Sequence, residues 1–263
     1  MGGAAQPHTC PGPAPGPLVN GVRIDPVTPT RLLEHIESFL ACGRGHVVHF
    51  LAAHPTVEAR RDAAYRFVLN EGDLNVPDGA PVALAARLQG AEGARLPGTD
   101  SLHIVARWGL GKDLRHYLYG ATAETLRDMQ ANLERSYPGI QIAGHESPPF
   151  RAVTDEELDA TTAAIRRSGA DIVWVGLGAP KQDLMGARLR ERDAAPVIMC
   201  VGAAFDFVAG VTRRAPAWMQ RVGLEWLHRL VSEPRRLWRR YLVGNSRFVL
   251  GVASDLLFRR RPP

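Results

Sequence analysis

Two periods of apolar spacing alternate along this chain. Short β-rich runs occur at His46–Leu51, Arg115–Tyr119, Asp171–Val175 (apolar almost throughout) and Pro196–Val201, with lesser ones at Leu18–Ile24 and Leu74–Val76. Between them the apolar positions recur three and four residues apart. That spacing predicts helices over Thr30–Ala41, Pro55–Leu69, Asp78–Leu88, Thr99–Trp108, Thr122–Tyr137, Asp155–Ser168 and Lys181–Asp193. A strand that is apolar on both faces must be covered on both faces, and strands separated by helices pair in parallel. The pattern therefore predicts an α/β fold, a doubly wound and mostly parallel sheet with helices on both faces.

The texture changes after Gly210. Trp218, Leu224, Trp226, Leu227, Leu230 and Val231 fall at helical spacing, Pro234 interrupts them, and Arg235–Phe258 resumes the pattern. Two or three amphipathic helices are expected here, forming an appendage and not a further sheet layer. Charge separates the same two regions. From Arg213 to Pro263 twelve arginines face three acids, Glu225, Glu233 and Asp255, a net of +9. The whole chain carries +5, so residues 1–212 carry −4. A near-neutral body with one basic end is suited to phosphates, whether on a nucleotide, a nucleic acid or a membrane. The expected organisation is a disordered Pro/Gly/Ala-rich tail over 1–17, the α/β domain over 18–210, and a basic helical appendage over 211–263.

Other classes drop out. No run of about 18 apolar residues encodes a membrane span, and the N-terminus lacks the basic and apolar regions of a secretory signal. Cys10, Cys42 and Cys200 have no metal-ligand spacing and point to a reducing compartment without a disulfide framework. Neither a metal nor another cofactor is expected.

In open parallel sheets ligands bind beyond the carboxyl ends of the strands, which singles out four loops. Asn75–Ala80 (NVPDGA) presents Asp78, either as a cap on the next helix or as a general base at a strand end. Gly98, Thr99 and Asp100 open a helix whose free amides and hydroxyl suit an anion or sugar, with a plain N-cap at Thr99 as the alternative. Gly176–Asp183 (GLGAPKQD) follows the most apolar strand; its glycines allow close backbone approach, and Pro180 fits a helix start beside Lys181 and Gln182. It is neither a dinucleotide fingerprint nor a P-loop. In Val201–Phe207, Asp206 lies between two phenylalanines and is read as a buried carboxylate paired with a base or with backbone amides.

With these loops in this order, the chain resembles the WecG/TagA/CpsF family of bacterial glycosyltransferases. The resemblance rests on Leu74–Gly79, Ala85–Gly90, Gly98–Asp100, Ser147–Phe150, Gly176–Asp183 and Val201–Gly210. It continues through Arg214–Pro216, Gly223–Trp226, Arg229–Leu230 and Glu233–Arg236, covering roughly residues 18 to 245. It implies an inverting transferase at the cytoplasmic face of the membrane. Such an enzyme moves an N-acetylmannosamine-type sugar from a UDP donor to a sugar on a polyprenyl diphosphate, for a cell-surface polysaccharide. It also implies Asp78 as base, Gly176, Gly178, Pro180, Lys181 and Gln182 as the donor loop, and Arg229, Arg236 and Arg239 on the diphosphate. Many members carry Thr and Asn where this chain has Phe50 and Ala52, which implies either a different sugar or a substrate-binding role passed to His54.

No Asp-x-Asp pair is present to hold a metal at a diphosphate, so arginines and a helix N-terminus are expected to stabilise the leaving group instead. Arg229, Arg236 and Arg239 are spaced to share one helical face. Trp218, Trp226, Trp238 and Phe248 among the arginines suit the headgroup zone of an anionic bilayer. A nucleic-acid partner is disfavoured, since no nucleic-acid motif appears, though the Arg/Trp-rich end is the feature that would serve one. A catalytically silent scaffold and a homo-oligomer both stay open.

Overall fold

The computed structural model describes residues 16–232 and 234–257, with the side chains of residues 221, 236, 237 and 239–243 left out of the description. The expected disordered tail therefore lies outside the described residues except at Gly16 and Pro17. Pro17 is already part of the fold, because its carbonyl accepts from Ile24 N at 2.9 Å.

The chain opens with a hairpin, β1 (Leu18–Val19) and β2 (Val22–Arg23), where sequence reading expected one strand. Asn20 and Gly21 make the turn with φ of 55° and 78°, the left-handed pair that a two-residue hairpin needs and that Asn-Gly supplies at little cost. Then follow α1 (Pro29–Cys42), β3 (His46–Leu51), α2 (Ala53–Arg61), α3 (Ala63–Asn70), β4 (Leu74–Pro77), α4 (Ala80–Arg87) and α5 (Gly98–Gly109). The single helix expected over Pro55–Leu69 is thus two. Asp62 leaves the helical region, and its carboxylate caps α3 by accepting from Ala64 N and Tyr65 N. The chain continues with β5 (Arg115–Gly120), α6 (Ala123–Ser136), β6 (Gln141–Glu146), α7 (Asp155–Ser168), β7 (Ile172–Gly176), α8 (Lys181–Glu191), β8 (Val197–Cys200) and α9 (Ala204–Ala209). Three helices close it: α10 (Ala217–Arg221), α11 (Glu225–Ser232) and α12 (Pro234–Leu257).

Six strands form one parallel sheet in the order β4-β3-β8-β7-β5-β6. On one face Val48, Phe50, Trp174 and Met199 pack against α1, α5, α6 and α9; on the other Val47, Tyr119, Val173 and Ile198 pack against α7 and α8. The expected α/β architecture with helices on both faces is present. Strand β6, absent from the sequence reading, lies at the sheet edge with no residue fully buried, so it never needed a continuous apolar run. Cys200 is free and buried, while Cys42 is disulfide-bonded, contrary to the expectation of a chain without disulfides.

The appendage is not a loose tail. Phe248 and Val252 of α12 are buried in a third cluster with Val19, Val22, Val57 and Tyr65. Asp255 receives Asn20 N at 2.6 Å and Arg60 Nη1 at 2.7 Å, both from the body. Phe248 is consequently unavailable to a bilayer; of the four aromatics expected there, Trp218 and Trp238 are exposed and Trp226 is half-buried. Among the described residues, no helix is long and apolar enough to cross a membrane.

Candidate functional site

Four strand ends converge on one cavity of about 330 Å³, a size suited to a small ligand. Phe50 of β3 and Ala52–Pro55 after it, Asp78–Pro81 after β4, Gly176 at the end of β7 with Leu177–Ala179 after it, and Val201–Phe207 after β8 all line it. Arg95, Pro97, Thr99, Ala121 and Gln182 add to the wall, and the appendage supplies Gly223, Glu225, Trp226, Arg229, Gly244 and Asn245. The cavity is therefore a joint product of the sheet and the C-terminal helices.

Asp78 is half-buried on this wall. It does not cap α4, whose N-cap is Gly79. Its Oδ1 instead accepts from Gly98 N, at the first residue of α5, at 2.7 Å. Burial is the largest influence on this carboxyl and raises its pKa above the ordinary Asp range. The Gly98 amide and Arg95 act against that shift, Glu225 adds to it, and Arg229 opposes it.

Thr99 lines the cavity but is no N-cap; that position of α5 belongs to Pro97. Gly98 lies beneath it, packed so closely on Val201 that a Cβ would come within 3.2 Å of it. Asp100 turns away to pair with Arg214. His54, Gly176, Gly178 and Gln182 reach the cavity, whereas Pro180 and Lys181 do not line it and Lys181 is exposed. Asp206 is half-buried on the wall, not enclosed as expected. Arg229 reaches the cavity over the Phe207 ring, 5.5 Å from its centroid, and its buried Nε meets no acceptor among the described residues. The side chains of Arg236 and Arg239 lie outside those described. The shared helical face expected for the three arginines is not formed, because Arg229 belongs to α11 and the other two to α12.

Sequence reading missed Arg95 and Glu225, which meet as an ion pair on the cavity wall. Glu225 had one usable signal: it is one of three acids in an arginine-rich stretch. Arg95 had none.

Behind the GLGAPKQD loop is a buried group that fastens α8. Asp183, fully buried, accepts from His49 Nδ1 at 2.9 Å and from Tyr65 OH at 2.6 Å. Gln182 donates to the Cys200 carbonyl at 3.1 Å, and its Oε1, at the cavity, has no partner among the described residues. His49, Asp183 and Cys200 form the one group among the described residues that could surround an ion. None of them lines the cavity, and burial pushes the Cys200 thiol up, away from the thiolate a metal needs. Burial, then the Asp183 charge, likewise hold the Tyr65 phenol in its protonated donor form. Tyr65→Phe is expected to leave Asp183 Oδ2 without a donor and to cost about 1–3 kcal/mol of stability. Urea denaturation checks this; an unchanged midpoint would deny the hydroxyl any part in holding α8.

Comparison with known sequences fits this geometry. The sequence model described as "Glycosyl transferase WecG/TagA/CpsF family" matches residues 18–262. The chain is similar to a Bacillus spizizenii protein named N-acetylglucosaminyldiphosphoundecaprenol N-acetyl-beta-D-mannosaminyltransferase, with 30% identity over 220 residues, 81% of either chain. Proteins of the same name from Bacillus subtilis (32% identity, 75% of either chain) and Staphylococcus aureus strain MW2 (27% identity, 83% of this chain and 85% of the relative) are also similar.

Proposed function

The chain belongs to the WecG/TagA/CpsF family of glycosyltransferases, and from that premise we propose that it transfers an N-acetylmannosamine-type sugar from a UDP donor to a sugar carried on a polyprenyl diphosphate. The observation that carries this reading is the pairing, on one cavity, of a half-buried carboxylate (Asp78) with a buried guanidinium nitrogen that meets no acceptor among the described residues (Arg229). A transfer with inversion needs those two groups. The carboxylate takes the proton from the attacking acceptor hydroxyl, and the cation meets the charge that grows on the β-phosphate as the bond to UDP breaks. The polar start of α8, with Gln182 at the cavity, is placed to receive the donor diphosphate. Arg236 and Arg239 are assigned to the same diphosphate from the family resemblance. The exposed Trp218 and Trp238, beside the arginine-rich segment, supply a peripheral contact with the cytoplasmic leaflet.

Purified protein given a panel of UDP-sugars, a short-chain polyprenyl-diphosphate–GlcNAc acceptor and EDTA is expected to release UDP only when acceptor is present. Release that depends on added divalent cation would overturn the metal-independent part of the proposal. No release with any donor would overturn the transferase reading for this chain.

A further inference from the structure

We infer that Glu225 is a positioning residue through which the docked C-terminal helices set the state of Asp78. The inference builds on the reading of Asp78 as the base but rests on contacts of its own. Glu225 begins α11, and its carboxylate holds two guanidinium groups, Arg95 Nη2 through Oε2 and Arg214 Nε through Oε1, the latter at 3.3 Å. Arg95 donates through Nε to the Asp78 carbonyl at 2.7 Å and through Nη1 to the Gln220 carbonyl of α10 at 3.2 Å. Arg214 reaches Asp100 in the first turn of α5, and the first residue of that helix, Gly98, donates to the Asp78 carboxylate. The contacts close into a ring that leaves Asp78 by its backbone, passes through Arg95, Glu225, Arg214 and α5, and returns to Asp78 by its side chain. Glu225 is the member of that ring that joins its two arginines, and it comes from the appendage.

The ring is mostly shielded: side-chain exposure is 19% at Arg95, 13% at Glu225 and 23% at Arg214. A carboxylate there does two things for Asp78. It holds the Arg95 guanidinium on the backbone carbonyl, and it offsets the arginine's charge, which would otherwise stabilise ionised Asp78 and make it a weaker base. With α11 undocked, Arg95 loses the carboxylate that both holds it on that carbonyl and offsets its charge. The charged and titratable groups around Asp78 are Arg95 ahead of α5, Glu225 and Arg229 on α11, and, on the same cavity, His54 of α2 and Asp206 of α9. Of these, Glu225 and Arg229 arrive with the appendage. Basicity at Asp78 is thereby tied to docking of α10–α12.

The test uses the full-length chain and its Glu225→Gln and Glu225→Asp variants, with two readouts. The first needs no turnover: the Gly98 amide resonance, whose N–H donates to Asp78, is followed against pH to report the Asp78 titration. Glu225→Gln is expected to move that midpoint to lower pH, and Glu225→Asp to return it towards wild type. The second is turnover with the UDP-sugar and lipid acceptor, where Glu225→Gln is expected to lose about ten- to a hundredfold in kcat, with donor KM changing little. A Gly98 titration unchanged by Glu225→Gln overturns the inference, even if activity falls, because the ring would then only be holding the appendage in place. A shifted titration in a chain whose wild type transfers no sugar leaves the inference standing and overturns the transferase reading instead.

Discussion

Asp78→Asn is expected to lower kcat by about 10²- to 10⁴-fold, the usual range for a lost general base, while donor KM changes little. The substitution is close to isosteric, and an Asn Oδ1 can still accept from Gly98 N, so the loop should keep its shape. What the amide lacks is the ability to take a proton. The pH dependence follows from the sign of the shift. Burial raises the Asp78 pKa above its ordinary value, and a base acts only when deprotonated. Wild-type kcat/KM should therefore rise with pH through a value above the normal Asp range and fall away below it, and Asp78→Asn should lack that limb. The same shift means that folding disfavours the charged carboxylate, so stability from this group is present at low pH and is lost as pH rises through the folded-state pKa. At neutral pH the Asn variant should be as stable as wild type or more so, while nearly inactive. Stopped UDP release with a thermal melt alongside reads both. A variant within tenfold of wild-type kcat would remove Asp78 from the chemistry.

The strands were legible wherever both faces are covered. Strands β3, β5, β7 and β8 lie inside the sheet, and their apolar runs follow from that position. Strand β6 was illegible for the converse reason: an edge strand with Gln141, His145 and Glu146 reads as loop. The Asn20-Gly21 turn was legible in principle, because Asn-Gly between apolar residues is a strong short-range hairpin signal. The break at Asp62 was harder, since an acid followed by Ala-Ala can sit within a helix or cap one, and only tertiary packing decides.

Three of the four loops follow β4, β7 and β8 and meet in one cavity, because a parallel sheet leaves them no other edge; the fourth, which opens α5 after α4, reaches it through Pro97 and Thr99. Individual side chains were less legible. Lys181 and Gln182 are neighbours in one motif, yet on a helix they project about 100° apart, and only Gln182 faces the cavity. Arg95 and Glu225 are 130 residues apart and meet only when the appendage folds back on the body. No spacing within either segment encodes that contact.

Deleting residues 211–263 is expected to abolish transfer, since it removes Glu225, Trp226, Arg229 and Asn245 from the cavity wall. The deletion is ambiguous by itself, because it also strips the arginines proposed to contact the membrane and uncovers the apolar cluster that Phe248 and Val252 complete. Gly251→Val separates these effects. A Cβ on Gly251 would stand 1.7 Å from Asn20 Oδ1 and 2.9 Å from its Cγ, so α12 cannot keep its seat unless the hairpin turn moves. Overpacking of this kind costs about 1–3 kcal/mol, a five- to roughly hundredfold shift against the docked arrangement at about 1.4 kcal/mol per decade. Every arginine of the appendage remains. Binding to anionic vesicles should therefore persist while transfer falls in step with the lost docking. Asn20 holds a left-handed φ that glycine adopts without strain, so Asn20→Gly added to Gly251→Val should relieve the collision and restore part of the activity. If Gly251→Val alone left transfer and thermal stability untouched, the seat of α12 on the hairpin would not belong to the working enzyme. If vesicle binding fell along with transfer, recruitment to the bilayer would itself depend on the docked helix.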